Sequence, residues 1–104
     1  MIYGLKETVV KKIQQILSGY PDVHKAILYG SRSIGNYKPG SDIDLTLEGA
    51  AITLKQLNAI ANELDDLLLP YELDLSIYHQ IDNPELLEHI KRVGVAFYTR
   101  AISS

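Results

Sequence analysis

Apolar residues recur at Leu5, Val9, Ile13, Ile16 and Leu17, a spacing that predicts one stripe of an amphipathic helix. Ser18-Gly19-Tyr20-Pro21 ends it. Val23 to Tyr29 has few polar breaks and reads as a buried strand, stopped sharply by Gly30-Ser31. A short helical turn through Ile34 and a loop with Gly35, Asn36, Pro39 and Gly40 come next. Ile43 to Leu47 alternates, which predicts a strand with one apolar and one polar face. Thr53-x-x-Gln56 is a capping-box pattern. The helix behind it is expected to run to about Leu69, with Leu57, Ile60, Leu64 and Leu67 on its apolar side and Pro70 closing it. Tyr71 to Tyr78 alternates again. Asn83 caps a third helix with Pro84 at its first position, Gly94 ends that helix, and Val95 to Tyr98 forms a final short strand. The expected fold class is a mixed α/β (α+β) domain, a small sheet covered by helices, spanning 1–104 as one unit.

Composition narrows the chemistry. A chain of 104 residues with 46% apolar side chains can bury a true core. It has no cysteine, which excludes a disulfide scaffold, a thiolate zinc site and a cysteine nucleophile, and fits a reducing compartment. Ten basic and thirteen acidic residues give a formal charge of −3, which argues against a domain built to coat a nucleic acid. Lys6, Glu7, Lys11 and Lys12 interrupt any signal-like start, and no apolar run approaches the roughly 20 residues needed to span a bilayer. A soluble cytoplasmic domain is the expectation.

Asp42 and Asp44 lie two residues apart at the start of a strand, so both side chains share a face. Two carboxylates that close resist ionising together unless a cation balances them. Hard cations such as Mg²⁺ bind through one or two carboxylates plus substrate phosphates. Asp74 occupies the polar phase of the next strand and joins the cluster if the two strands are neighbours. Three carboxylates can hold two metals roughly 3.5–4 Å apart, the arrangement suited to in-line phosphoryl displacement. The plainer reading of Asp-x-Asp is the solvated side of a half-exposed strand.

Gly30-Ser31 shifts that balance. A glycine at a strand end lets backbone approach a ligand closely, and Ser31 opens a helical turn whose free N–H groups suit phosphate. The block Gly30-Ser31-Arg32-Ser33-Ile34-Gly35, followed by Ser41-Asp42-Ile43-Asp44-Leu45, resembles the signature of the DNA polymerase beta-like nucleotidyltransferase superfamily. The short length and the stretch from Asn83 to Gly94 resemble its minimal nucleotidyltransferase (MNT) branch. The resemblance covers Ala26 to about Tyr98.

The resemblance implies a palm-like sheet that binds a nucleoside triphosphate, ATP, with Mg²⁺ in a two-metal site. Gly30 and Ser31 would hold the triphosphate, Asp42 and Asp44 would bind the metals, and Asp74 would complete the metal site and help deprotonate the attacking hydroxyl. It further implies an antitoxin partnered with a HEPN-domain toxin, some members transferring AMP to a tyrosine of that toxin. The sequence departs from the family pattern at Ser33-Ile34, where a small and then a basic residue are usual. That leaves Arg32 or Lys38 to meet phosphate, with Ser41 orienting the aspartate loop or touching the nucleotide.

Other residues read more plainly. His24 and His89 are expected at the surface, and His79 at a strand end. Tyr3, Tyr20, Tyr37, Tyr71 and Tyr98 are candidates for a partner surface, with Tyr29 and Tyr78 in the core or pocket wall. The chain is too short to hold an acceptor-binding domain of its own, so a partner or a second copy must supply much of that site. The sequence thus supports an AMP-transferring antitoxin, with a catalytically vestigial module that masks the toxin by binding as the alternative.

Overall fold

The computed structural model describes residues 2–100. In chain order they form α1 (Glu7–Ser18), β1 (Lys25–Tyr29), β2 (Ile43–Glu48), α2 (Leu54–Asp65), β3 (Leu73–Ile77), α3 (Pro84–Val93) and β4 (Val95–Thr99). Single 3-10 turns follow β1 (Gly30–Arg32) and β3 (Tyr78–Gln80). The four strands make one sheet in the order β3-β2-β1-β4. β1 is antiparallel to both β2 and β4, whereas β2 and β3 run parallel. A parallel pair needs a crossover, and α2 supplies it. The expected mixed α/β class holds.

Strand alternation divides the sheet into two unlike faces. On one, Ala26 and Leu28 of β1, Ile43, Leu45 and Leu47 of β2 and Ile77 of β3 are buried. They pack beneath Val10, Ile13 and Leu17 of α1 and Ile60 and Leu64 of α2, and this cluster is the core. The opposite face carries Tyr29, Asp44, Thr46, Asp74 and Ser76, and α3 packs on it over β1 and the turn that follows β1. One side of the sheet therefore provides stability and leaves the other free to carry charge.

Local signals in the sequence set the helix starts. Thr53 accepts from the Gln56 amide while the Gln56 side chain accepts from the Thr53 N–H, a closed capping box. Gln56 also donates to Asp22 at 2.7 Å, tying α2 to the turn before β1. Asn83 Oδ1 accepts from the Glu85 and Leu86 amides ahead of Pro84.

The end of α2 differs from expectation. The helix stops at Asp65 rather than near Leu69. Leu67 and Leu68 donate to Leu64 and Asp65, three residues back, so the last turn tightens. Leu68 then takes a φ of 54°, a left-handed reversal, and Pro70 disfavours helix at Leu69. Tyr71 and Glu72 are spent on the return, and the Ile43 N–H donates to the Glu72 carbonyl at 2.9 Å. That bond sets the entry of β3 beside β2. No helix among the described residues is long and apolar enough to cross a membrane.

Leu45 is fully buried at the centre of the sheet's apolar face. Leu45→Ala should cost about 2–5 kcal/mol, and Thr53→Ala about 1 kcal/mol, read as shifts of the urea midpoint at unchanged slope.

Candidate active site

Two register relations build the site. Tyr29 stands opposite Asp44 across the antiparallel β1–β2 pair, and Asp44 stands opposite Asp74 across the parallel β2–β3 pair. Residues paired in register project to the same face, so Asp44 and Asp74 lie side by side at one end of the sheet. Asp42 is exposed, just before β2 and two residues from Asp44. The Gly30-Ser31 corner leaves β1 at this same end. The Asp-x-Asp motif is therefore not merely a wet strand face. It meets a third carboxylate on the neighbouring strand.

Gly30 shows why the corner has no side chain. Its φ is +78°, and a Cβ there would collide with the Asp44 carboxylate. The Asp44 carboxylate thus lies against bare backbone.

The electrostatics follow from the crowding. Burial, first, raises the Asp44 carboxyl above its ordinary range. The charges of Asp74 and then Asp42 push it further in the same direction, and His89 acts the other way. Burial likewise raises the Tyr29 hydroxyl; the nearby Ser76 hydroxyl opposes that rise, and Asp74 and Asp44 add to it. No three acidic or imidazole side chains among the described residues close into a ready-made metal set. A half-buried carboxylate crowded by two others still fits a hard divalent cation that takes further ligands from phosphate and water.

Arg32 corrects the sequence reading. It was a candidate phosphate donor, yet it is 2% exposed and turned inward. Its Nε and Nη2 donate to the Ser41 carbonyl at 3.0 and 2.8 Å, and its Nη1 donates to the Tyr3 carbonyl at 2.9 Å. The guanidinium carbon lies 4.8 Å from the Tyr71 ring centroid and 5.4 Å from that of Tyr37. Three tyrosines considered for a partner surface, Tyr3, Tyr37 and Tyr71, thus gather around one arginine. Ser41 Oγ accepts from the Lys38 amide at 2.8 Å, so both its carbonyl and its hydroxyl shape the loop. The Ser41 hydroxyl oxygen is thus engaged as an acceptor within the loop, and its own O–H remains available to donate. Lys38 itself is exposed, as is Ile34.

Sequence reasoning missed part of the wall. His89, expected at the surface, is half-buried and sits edge-on to Tyr29 with centroids 6.2 Å apart. Its place on α3, one residue before buried Ile90, was the available signal. Thr46 and Ser76 pair in register one step behind Asp44 and Asp74, and both hydroxyls are buried without a geometrically sound hydrogen bond. His79 is exposed, as expected of a strand end.

Residues 11–103 match the family model described as polymerase beta, nucleotidyltransferase. No curated protein matches the sequence. Among solved structures, a toxin-antitoxin crystal structure with AMP-PNP superposes with a TM-score of 0.69 at 22% identity, covering 92% of this chain and 75% of that one. A tri-AMPylated Shewanella oneidensis HEPN toxin in complex with MNT antitoxin gives 0.68 at 19% identity, covering 92% and 74%. The toxin-antitoxin pair MntA-HepT gives 0.68 at 18% identity, covering 91% and 74%. These likenesses establish a shared fold.

Two outcomes check this geometry. Gly30→Ala should cost about 1–3 kcal/mol in denaturant unfolding, because alanine must hold a positive φ and displace Asp44. Asp44→Asn should be more stable than the parent at pH 7. The folded chain holds the Asp44 proton more tightly than the unfolded chain, so folding takes up protons between the two pKa values. Asp44 therefore costs stability above its raised pKa and none below the ordinary carboxylate range. Melting temperatures of the two proteins should converge as pH falls through that window.

Proposed function

This chain belongs to the polymerase beta nucleotidyltransferase family, and from that premise we propose that it transfers AMP from ATP to a hydroxyl, a tyrosine, on a HEPN-domain toxin. The observation that carries the reading is the in-register pairing of Asp44 with Asp74 beside the bare Gly30 corner. Backbone N–H groups of the Gly30–Arg32 turn receive the triphosphate, where a Cβ-free strand end admits close approach. Asp42, Asp44 and Asp74 are the residues that would hold Mg²⁺. When bound, the ion supplies charge neutralisation and polarisation of the phosphates.

The chain's own groups account for the rest. Asp74 takes the proton of the acceptor hydroxyl as its oxygen attacks the α-phosphorus. A new P–O bond joins AMP to the acceptor, the bond to the β-phosphate oxygen breaks, and pyrophosphate departs. Tyr29 and His89 wall the carboxylates on the β1 side. The choice of acceptor is supported by the fold this chain shares with the MNT antitoxin bound to a tri-AMPylated HEPN toxin. The chain places its carboxylates at an open end of the sheet, which leaves room for a second protein to present the hydroxyl.

The test is labelled ATP and Mg²⁺ with a HEPN-domain toxin, sought first in the reading frames that flank the one for this chain. The wild type should label the partner. Asp44→Ala should lower the rate by at least about 10³-fold with an unchanged circular dichroism spectrum, as expected when a group that organises the reacting charge is removed. Labelling by Asp44→Ala at the wild-type rate would overturn the assignment. Full protection of cells by an Asp42→Asn, Asp44→Asn double variant would instead mean that the domain neutralises by masking.

A further inference from the structure

Arg32 touches every segment that carries a candidate ligand. It follows Ser31 directly in the phosphate corner. Its forked guanidinium grips the Ser41 carbonyl through two N–H groups, one peptide away from Asp42. Its flat face stacks on Tyr71, three residues before Asp74. Its third hydrogen bond holds the Tyr3 carbonyl. Gly4, with φ +73°, lies so close to the Tyr37 ring that a Cβ there would collide with it, and the same ring lies 5.4 Å from the guanidinium carbon.

We infer that Arg32 is a positioning residue that fixes the geometry of the carboxylate cluster from behind, without contacting nucleotide. This inference rests on the transferase reading and adds a role to a residue that the sequence alone assigns to phosphate. The loop from Gly35 to Gly40 is exposed and forms no helix or strand. Local turn bonds between Lys38 and Ser41 close it, and the Ile43 N–H fixes the strand side of Asp42 on the Glu72 carbonyl. Arg32 is the side chain that ties the loop side to the protein interior. A planar fork that bonds one carbonyl through two N–H groups and has two rings near it restrains direction as well as distance, which an ammonium on a flexible stem does not. Burial of the charge is tolerated because carbonyl oxygens and ring faces surround it.

Arg32→Lys tests the clamp by keeping the charge and losing the fork. Hydrogen exchange of the metal-free chain should speed up for amides 36–43, and amides of β1 should keep their protection. In the transfer assay kcat should fall roughly 10–100-fold while the KM for ATP stays within about threefold, the range seen when supporting partners of ligands are lost. A KM that rises by the whole factor lost in kcat/KM, with exchange unchanged, would make Arg32 a phosphate ligand and overturn the inference. Unchanged exchange and unchanged kinetics would overturn it as well. If Arg32→Lys does not fold, Tyr37→Leu removes one stacking ring from a side chain that is 40% exposed, and the same pattern should appear at smaller amplitude. The exchange measurement needs neither nucleotide nor metal, so it decides the clamp even where no transfer is detected.

Discussion

The parallel pairing of β2 with β3 forces Asp44 and Asp74 to share a face at adjacent positions. Every other feature of the site accommodates that constraint. Like charges side by side are unfavourable, and the raised Asp44 carboxyl is the local sign of it. The fold tolerates the repulsion because stability comes from elsewhere. α1 and α2 bury the opposite face of the same strands. A sheet packed heavily on one side and lightly on the other can hold a charged cluster without exposing its core. The crossover through α2 makes the pairing parallel, so that helix both covers the core and delivers the third carboxylate.

The buried guanidinium is the second organising element. It lies behind the cluster and gathers backbone carbonyls and aromatic rings from segments far apart along the chain. A basic residue after a Gly-Ser turn suggests anion binding when only neighbours in sequence are considered. In three dimensions the side chain is buried, and three of its five N–H donors hold backbone carbonyls. On the proposed reading, the positive partners of a triphosphate would then be backbone N–H groups, exposed Lys38, cations or another protein. The exposed Ile34 makes that need sharper, because it stands where the family usually places a basic side chain.

Much of this was legible in the sequence because the signals were local. Alternation at Ile43–Leu47 and Tyr71–Tyr78 revealed the strands and the phase of Asp44 and Asp74. Thr53 and Asn83 announced two helix starts. The Gly30-Ser31 and Asp42-x-Asp44 spacing revealed the candidate chemistry. What stayed hidden was tertiary. The early stop of α2 depends on a leucine adopting a left-handed conformation, which no leucine advertises. The inward turn of Arg32 depends on Tyr71 arriving from the far side of the α2 crossover. The half-burial of His89 depends on how α3 lies over Tyr29.

The contact between Gly30 and Asp44 has one more consequence. Only a hydrogen atom fits at the strand end while the acid keeps this position, so the placement of one depends on the other. A larger residue at the corner would have to hold a positive φ and push the Asp44 carboxylate aside, so it would change where the acid sits. Replacing the glycine alone should therefore register first in the placement of the acid rather than in the core beneath it.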